Sequence, residues 1–181
     1  MGKEIVLVPN VPKHLEEVWK PIPEFPRYQI SNLGRVYNQE RDIIMQTSHT
    51  NFGHVKITLR SEHYGIRYTR SVAQLVAEAF VEPPNIHCDQ IVILDGNFDN
   101  LAFYNIMWRP RWFAWKYTRQ LKMIQPMHYK NLPIVNVVTH DSYESVIDAG
   151  MTEGLLFNDI WRSTYAHSVV YPTGVGFEVI K

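Results

Sequence analysis

The sequence predicts an α+β protein assembled from a small antiparallel sheet and short helices, and three patterns predict it. Tyr28-Gln-Ile-Ser and Gly34-Arg-Val-Tyr alternate apolar and polar residues on either side of Ser31-Asn32-Leu33-Gly34, as two strands joined by a tight turn would. Val72, Leu75, Val76, Ala79 and Phe80 recur at the spacing that puts side chains on one face of a helix. Gln90-Ile-Val-Ile-Leu94 is a short β-prone run entering Asp95-Gly96-Asn97, whose residue types form turns.

The remaining elements follow in chain order. His54-Val-Lys-Ile-Thr-Leu-Arg60 also alternates, and Tyr64-Gly65 with Arg67-Tyr-Thr-Arg70 supplies its partner strand. Ser71 offers an N-cap hydroxyl to the helix that starts at Val72, and Pro83-Pro84 stops that helix because proline has no N–H to continue it. After the Asp-Gly-Asn turn, Asn100 to Met107 is the expected place for a short helix. Leu132-Pro-Ile-Val-Asn-Val-Val138 is strand-like, Ser142–Ala149 reads as a helix ended by Gly150, and a second helix is expected over 155–164. This divides the chain into 1–108, a helical connector over 109–130, and a small module over 131–181.

Composition narrows the class. With 181 residues, 45% of them hydrophobic, the chain can bury a core as one domain or two small ones. A single cysteine, Cys88, excludes a disulfide framework and a thiolate zinc site within one chain. There is no apolar run long enough to span a bilayer and no signal-peptide pattern after Met1, so a soluble, cytoplasmic protein with no membrane partner is expected.

The formal charge is zero, but it is unevenly spread. Residues 1–99 hold ten Lys/Arg and twelve Asp/Glu, a net of −2. Residues 100–140 hold Arg109, Arg111, Lys116, Arg119, Lys122 and Lys130 and no acid, a net of +6, and residues 141–181 have a net of −4. Trp112, Trp115 and Tyr117 lie among those cations. The segment reads either as a phosphate-tracking element or as a helix that packs its aromatic residues on a core and leaves its charges in water.

Residues 91–108 resemble the heart of an HNH nuclease site: Asp95-Gly96-Asn97, Asn100, Asn105-Ile106 and Trp108 fall at the spacing of that family's D-G-N-x-x-N-x-x-x-x-N-L-x-W run. Val72-Ala-Gln-Leu-Val-Ala-Glu-Ala-Phe80 is similar to the helix V-H-R-L-V-A-x-A-F of phage HNH homing endonucleases. Glu17-Val-Trp-Lys-Pro-Ile22 and Tyr28-Gln-Ile-Ser-Asn-Leu-Gly-Arg-Val36 resemble the nuclease-associated module that opens such enzymes. Tyr143-Glu-Ser-Val-Ile-Asp-Ala-Gly150 and Thr173-Gly-Val-Gly-Phe177 are similar to their C-terminal helix-turn-helix repeat. The resemblance implies a ββα-metal-like core and a helix-turn-helix module, with DNA as the substrate of the family.

At the two histidine positions of the family's patterns this chain has Ile93 and Ala73. Because a metal-assisted hydrolysis needs a base to deprotonate water and ligands to hold the ion, the expectation is a catalytically inactive scaffold with no cofactor. Asp95, Asn97 and Asn105 remain as family positions, Asn105 matching the family's metal-ligand Asn; they serve either a residual metal site or the turn itself. His87 is the nearest replacement imidazole and reads as a loop residue. Arg109, Arg111, Lys116, Arg119 and Lys122 are the expected DNA contacts, and Trp112, Trp115, Trp161 and Tyr165 the expected protein contacts. The second C-terminal helix offers Asn158, Asp159 and Arg162 in an acidic region, which suits phosphate poorly. The partner is then a host or phage protein in the infected cell, such as the transcription machinery on DNA. Two alternatives stay open: an active Mg2+- or Mn2+-dependent nicking homing endonuclease, and a DNA-binding regulator that does not cleave.

Overall fold

The computed structural model describes residues 16–62, 65–83, 86–122 and 132–180. The chain divides between Arg111 and Trp112 into two compact units.

In the first unit, β1 (Trp19–Ile22), β2 (Phe25–Ser31), β3 (Val36–Asn38) and β4 (Ile43–Ile44) form an antiparallel sheet in that order. The register pairs Ile30 with Val36, and both are buried, while Gln29 and Tyr37 on the other face are half-buried. The turn between them is built from its own side chains. Ser31 Oγ accepts from Arg35 N at 2.9 Å, Asn32 Oδ1 accepts from Val18 N at 2.9 Å, and Asn32 Nδ2 donates to the Glu16 carbonyl at 3.1 Å. Gly34 has φ +85° and a Cβ there would lie 2.4 Å from Leu101 Cβ, so both conformation and space require glycine.

A second sheet holds β5 (Ser48–His49), β6 (Val55–Arg60) and β7 (Arg67–Ser71), with β6 and β7 paired from Lys56↔Ser71 to Arg60↔Arg67. The expected contribution of Tyr64 lies outside the described residues. Helix α1 (Val72–Phe80) starts as its sequence dictates: Ser71 Oγ accepts from Gln74 N at 3.4 Å, and Val72, Ala73, Leu75, Val76 and Ala77 are buried. Those residues join Ile22, Ile30, Val36, Ile57 and Leu59 in one apolar core.

Strand β8 (Gln90–Ile93) pairs antiparallel with β9 (Ile106–Arg109). Here the structure corrects the sequence reading: Asn100–Met107 is not a helix but a loop, a single 3-10 turn over Phe103–Asn105, and the start of β9. The four-pair ladder to β8 and the burial of Ile106 and Trp108 favour the strand, and Trp108 Nε1 donates to the Val81 carbonyl at 2.7 Å.

The second unit contains most of α2 (Arg111–Lys122) and a three-stranded antiparallel sheet in which β10 (Ile134–Asn136) lies between β11 (Ser142–Tyr143) and β12 (Phe177–Val179). Helices α3 (Val146–Thr152) and α4 (Phe157–Ala166) pack beside it. The helix expected over Ser142–Ala149 therefore begins four residues later, because Ser142 and Tyr143 pair with Val135 and Ile134 and Ser145 Oγ caps the helix by accepting from Asp148 N at 3.1 Å. Gly150 is not a terminator but an interior residue of α3. A Cβ on it would lie 2.4 Å from Phe157 Cδ1, so the glycine permits the close approach of α4. Among the described residues no helix is long and apolar enough to cross a membrane.

Candidate functional site

The Asp95 turn joins the loop to β9 through a closed set of side-chain hydrogen bonds. Asp95 Oδ1 accepts from Asn97 N at 2.8 Å and from Asn105 Nδ2 at 2.9 Å, and Asp95 Oδ2 accepts from Asn100 Nδ2 at 2.7 Å. Asn105 Nδ2 also donates to the Asn100 carbonyl at 2.8 Å, and Asn105 Oδ1 accepts from Asp95 N at 3.1 Å. Asn97 Oδ1 takes Asp99 N at 3.1 Å. Asn105 is 0% exposed, and Gly96 at φ +73° allows the chain to reverse. Ile93, 7% exposed, belongs to the apolar core of the unit.

Two histidines that the sequence did not single out reach the same loop. His49 Nε2 lies 2.7 Å from Asp99 Oδ1, and the His54 ring lies 4.3 Å from that of Phe98. Both come from the β5–β6 hairpin, far from the loop in sequence, which is why no local spacing announced them. His87 is exposed, on the loop before β8.

Within the basic segment, α2 is a helix with two distinct faces, while the rest of the expected connector to residue 130, with Lys130, lies outside the described residues. Phe113 and Tyr117 are both buried, with Tyr117 Oη donating to the Gly150 carbonyl at 3.3 Å and Gln120 bonding Leu155 O and Phe157 N at 3.1 and 3.0 Å. Arg111, Trp112, Trp115, Lys116, Arg119 and Lys122 are exposed. Trp112 is 50% and Trp115 62% exposed, so these indoles do not serve as the core residues that their size suggests. Lys116 Nζ stands 5.2 Å from the Trp112 ring centre and Arg119 Cζ 5.2 Å from that of Trp115, the geometry of cation–π pairs one helical turn apart. Arg109 is separated from this set: it is 4% exposed and its Nη1 donates to the Trp108 carbonyl at 2.9 Å, so it is not placed to meet a phosphate in solvent. On α4, Tyr165 is exposed and Trp161 half-buried, their rings 5.9 Å apart, while Asn158 and Arg162 are exposed and Asp159 half-buried.

Residues 17–69 match the NUMOD4 motif, which covers β1 through most of β7. A comparison with curated proteins finds no match. Among solved structures, one described as DNA binding and cleavage by the HNH homing endonuclease I-HmuI superposes with a TM-score of 0.50 at 21% identity, over 90% of this chain and 98% of that one. The chain shares the fold of an HNH homing endonuclease.

The motif resemblance of residues 91–108 would imply a divalent metal beside the Asp95 turn, and the side chains there fit one poorly. A hard cation needs carboxylate or carbonyl lone pairs turned toward it. Three N–H groups are directed at the two oxygens of Asp95, the Asn105 amide oxygen receives Asp95 N, and the neighbouring Ile93 brings no donor atom, so the donors left for an ion are few. Among the described residues no three His, Cys, Asp or Glu side chains gather closely enough to hold an ion.

Proposed function

We propose that this chain is a DNA-binding protein built on an HNH-nuclease fold that does not hydrolyse DNA. The observation that carries the reading is the pairing of a self-satisfied Asp95–Asn105 turn beside the apolar Ile93 with an α2 face on which Arg111, Lys116, Arg119 and Lys122 stand exposed. Four cations on one solvent-facing helix, in a stretch of sequence from 100 to 140 without an acid, suit the phosphate backbone, where release of condensed counterions drives association. Among the described residues no carboxylate pairs with Arg111, Lys116 or Lys122, so binding would break no ion pair of theirs.

The reading is tested by a mobility-shift titration at several salt concentrations beside a plasmid-nicking assay in Mg2+ and Mn2+. Salt-sensitive binding without nicking is expected; metal-dependent nicking would overturn it and restore the homing endonuclease. A second reading, docking on a protein such as a transcription complex, is favoured by α4. Its exposed Tyr165 and half-buried Trp161 lie in a region of net −4, which suits a basic protein surface better than phosphate. A stoichiometric partner that survives nuclease treatment and is lost with Trp161→Ala would establish it.

A further inference from the structure

We infer that the exposed face of α2 is a stacking platform for unpaired nucleobases, so that single-stranded nucleic acid is its preferred ligand; this rests on the reading of α2 as the nucleic-acid surface. Cations alone would suffice for a duplex, whose outside offers phosphates and sugars and whose base faces are hidden in the stack. The two half-exposed indoles of α2 are left unexplained by duplex backbone contacts. They are also costly to leave in water, being large apolar rings outside the core.

The arrangement matches what unpaired bases require. Trp112 and Trp115 stand three residues apart on one helix, roughly 4.5 Å along its axis, and each has its own cation 5.2 Å from the ring centre. A base stacking on that face of an indole would displace the cation now over the ring, Lys116 on Trp112 or Arg119 on Trp115, and the long side chain would swing to the phosphate of the same nucleotide. Tyr171, 49% exposed, lies 5.2 Å from Trp112 with the ring planes 34° apart and extends the aromatic surface beyond the helix. Aromatic rings interleaved with cations bind single strands with little regard to sequence, because every base presents a π face. Unpaired DNA and RNA share this chemistry.

The test is intrinsic tryptophan fluorescence of the full chain titrated with a mixed-sequence single-stranded DNA, the same sequence as RNA, and a hairpin duplex. Single strands are expected to quench the fluorescence and to bind about tenfold or more tightly than the duplex. Trp112→Ala and Trp115→Ala should each weaken single-strand binding by about 5- to 150-fold, with Trp112→Phe keeping most of it. The two single-strand arms identify which nucleic acid is preferred. Equal binding of duplex and single strand, or tryptophan variants that bind as the parent does, overturns the inference while leaving DNA binding by α2 intact. Absence of binding in all three arms overturns both.

Discussion

Asp95 and Asn105 hold each other reciprocally across the β8–β9 hairpin: the Asn105 amide nitrogen donates to Asp95 Oδ1 at 2.9 Å, and the Asp95 backbone N–H donates to Asn105 Oδ1 at 3.1 Å. Two residues ten apart are thereby fixed with no third component. The pair explains how a turn that resembles part of a hydrolytic site can be maintained for its structure alone.

The first prediction follows from that reciprocity. Asn105→Ala removes two donated bonds and leaves the Asp95 N–H and carboxylate short of partners, so a loss of about 2–4 kcal/mol in urea unfolding is expected. On the reading that the turn is held by its own side chains, the loss should be the same in Mg2+ and in EDTA. A variant whose stability falls only when metal is withdrawn would show that the turn binds metal after all.

Restoring the family's histidine should not restore hydrolysis. Ile93→His places an imidazole in an apolar core and leaves Asp95 engaged by three N–H groups of its own turn, so no metal-dependent nicking of plasmid is expected, together with destabilisation on the order of 1–3 kcal/mol. Nicking by this single variant would mean that the missing base was the one defect of the site.

Which features are legible in the sequence depends on whether their cause is local. The Ser31–Gly34 turn and the Ser71 cap satisfy neighbouring backbone groups, and short-range pattern suffices to read them. Asn105 reads as helical in the linear sequence because its partners, Asp95 and the Asn100 carbonyl, only come into reach once the hairpin closes. Adjacency groups Arg109 with the exposed cations, although a strand ending at that residue turns its side chain inward while α2 turns Arg111 outward. The same logic governs Trp112 and Trp115: aromatic residues among cations suggest either burial or binding, and only the packing of Phe113 and Tyr117 decides which rings face water.

Gly150 is a sharp test of the α3–α4 packing. Since its Cβ would fall 2.4 Å from Phe157 Cδ1, Gly150→Ala should cost about 1–3 kcal/mol despite alanine's better helix propensity. Combining it with Phe157→Leu should recover part of the loss, which thermal unfolding of the double variant would measure. A stabilised Gly150→Ala protein would show that the helices lie farther apart.

Removing cations from α2 should change salt dependence before anything else. In Lys116→Gln with Arg119→Gln, the slope of log affinity against log salt should become shallower by roughly one unit for each phosphate that no longer meets a cation. Arg109→Gln is the contrasting variant, because that buried side chain supports the fold and should lower stability while leaving the slope unchanged. A slope that moves with Arg109 and not with Lys116 would place the interface elsewhere.

The last prediction concerns Tyr143, whose phenol donates to the Glu153 carboxylate. Partial burial, with that hydrogen bond and the negative charges of Glu153, Asp141 and Asp148, pushes its ionisation well above the ordinary range for tyrosine. The folded state therefore holds the phenolic proton more tightly than the unfolded chain does. By linkage, the stabilisation from this group is complete below the unfolded value near pH ~10 and is lost as pH rises from there through the folded value. Ultraviolet titration of the folded protein should reveal a phenol class that ionises late, and Glu153→Gln should move that class down toward the ordinary range while reducing stability at neutral pH. If the late class stayed in place in Glu153→Gln, burial with the charges of Asp141 and Asp148 would account for it, and the Tyr143–Glu153 hydrogen bond would contribute nothing to the alkaline limit of the fold.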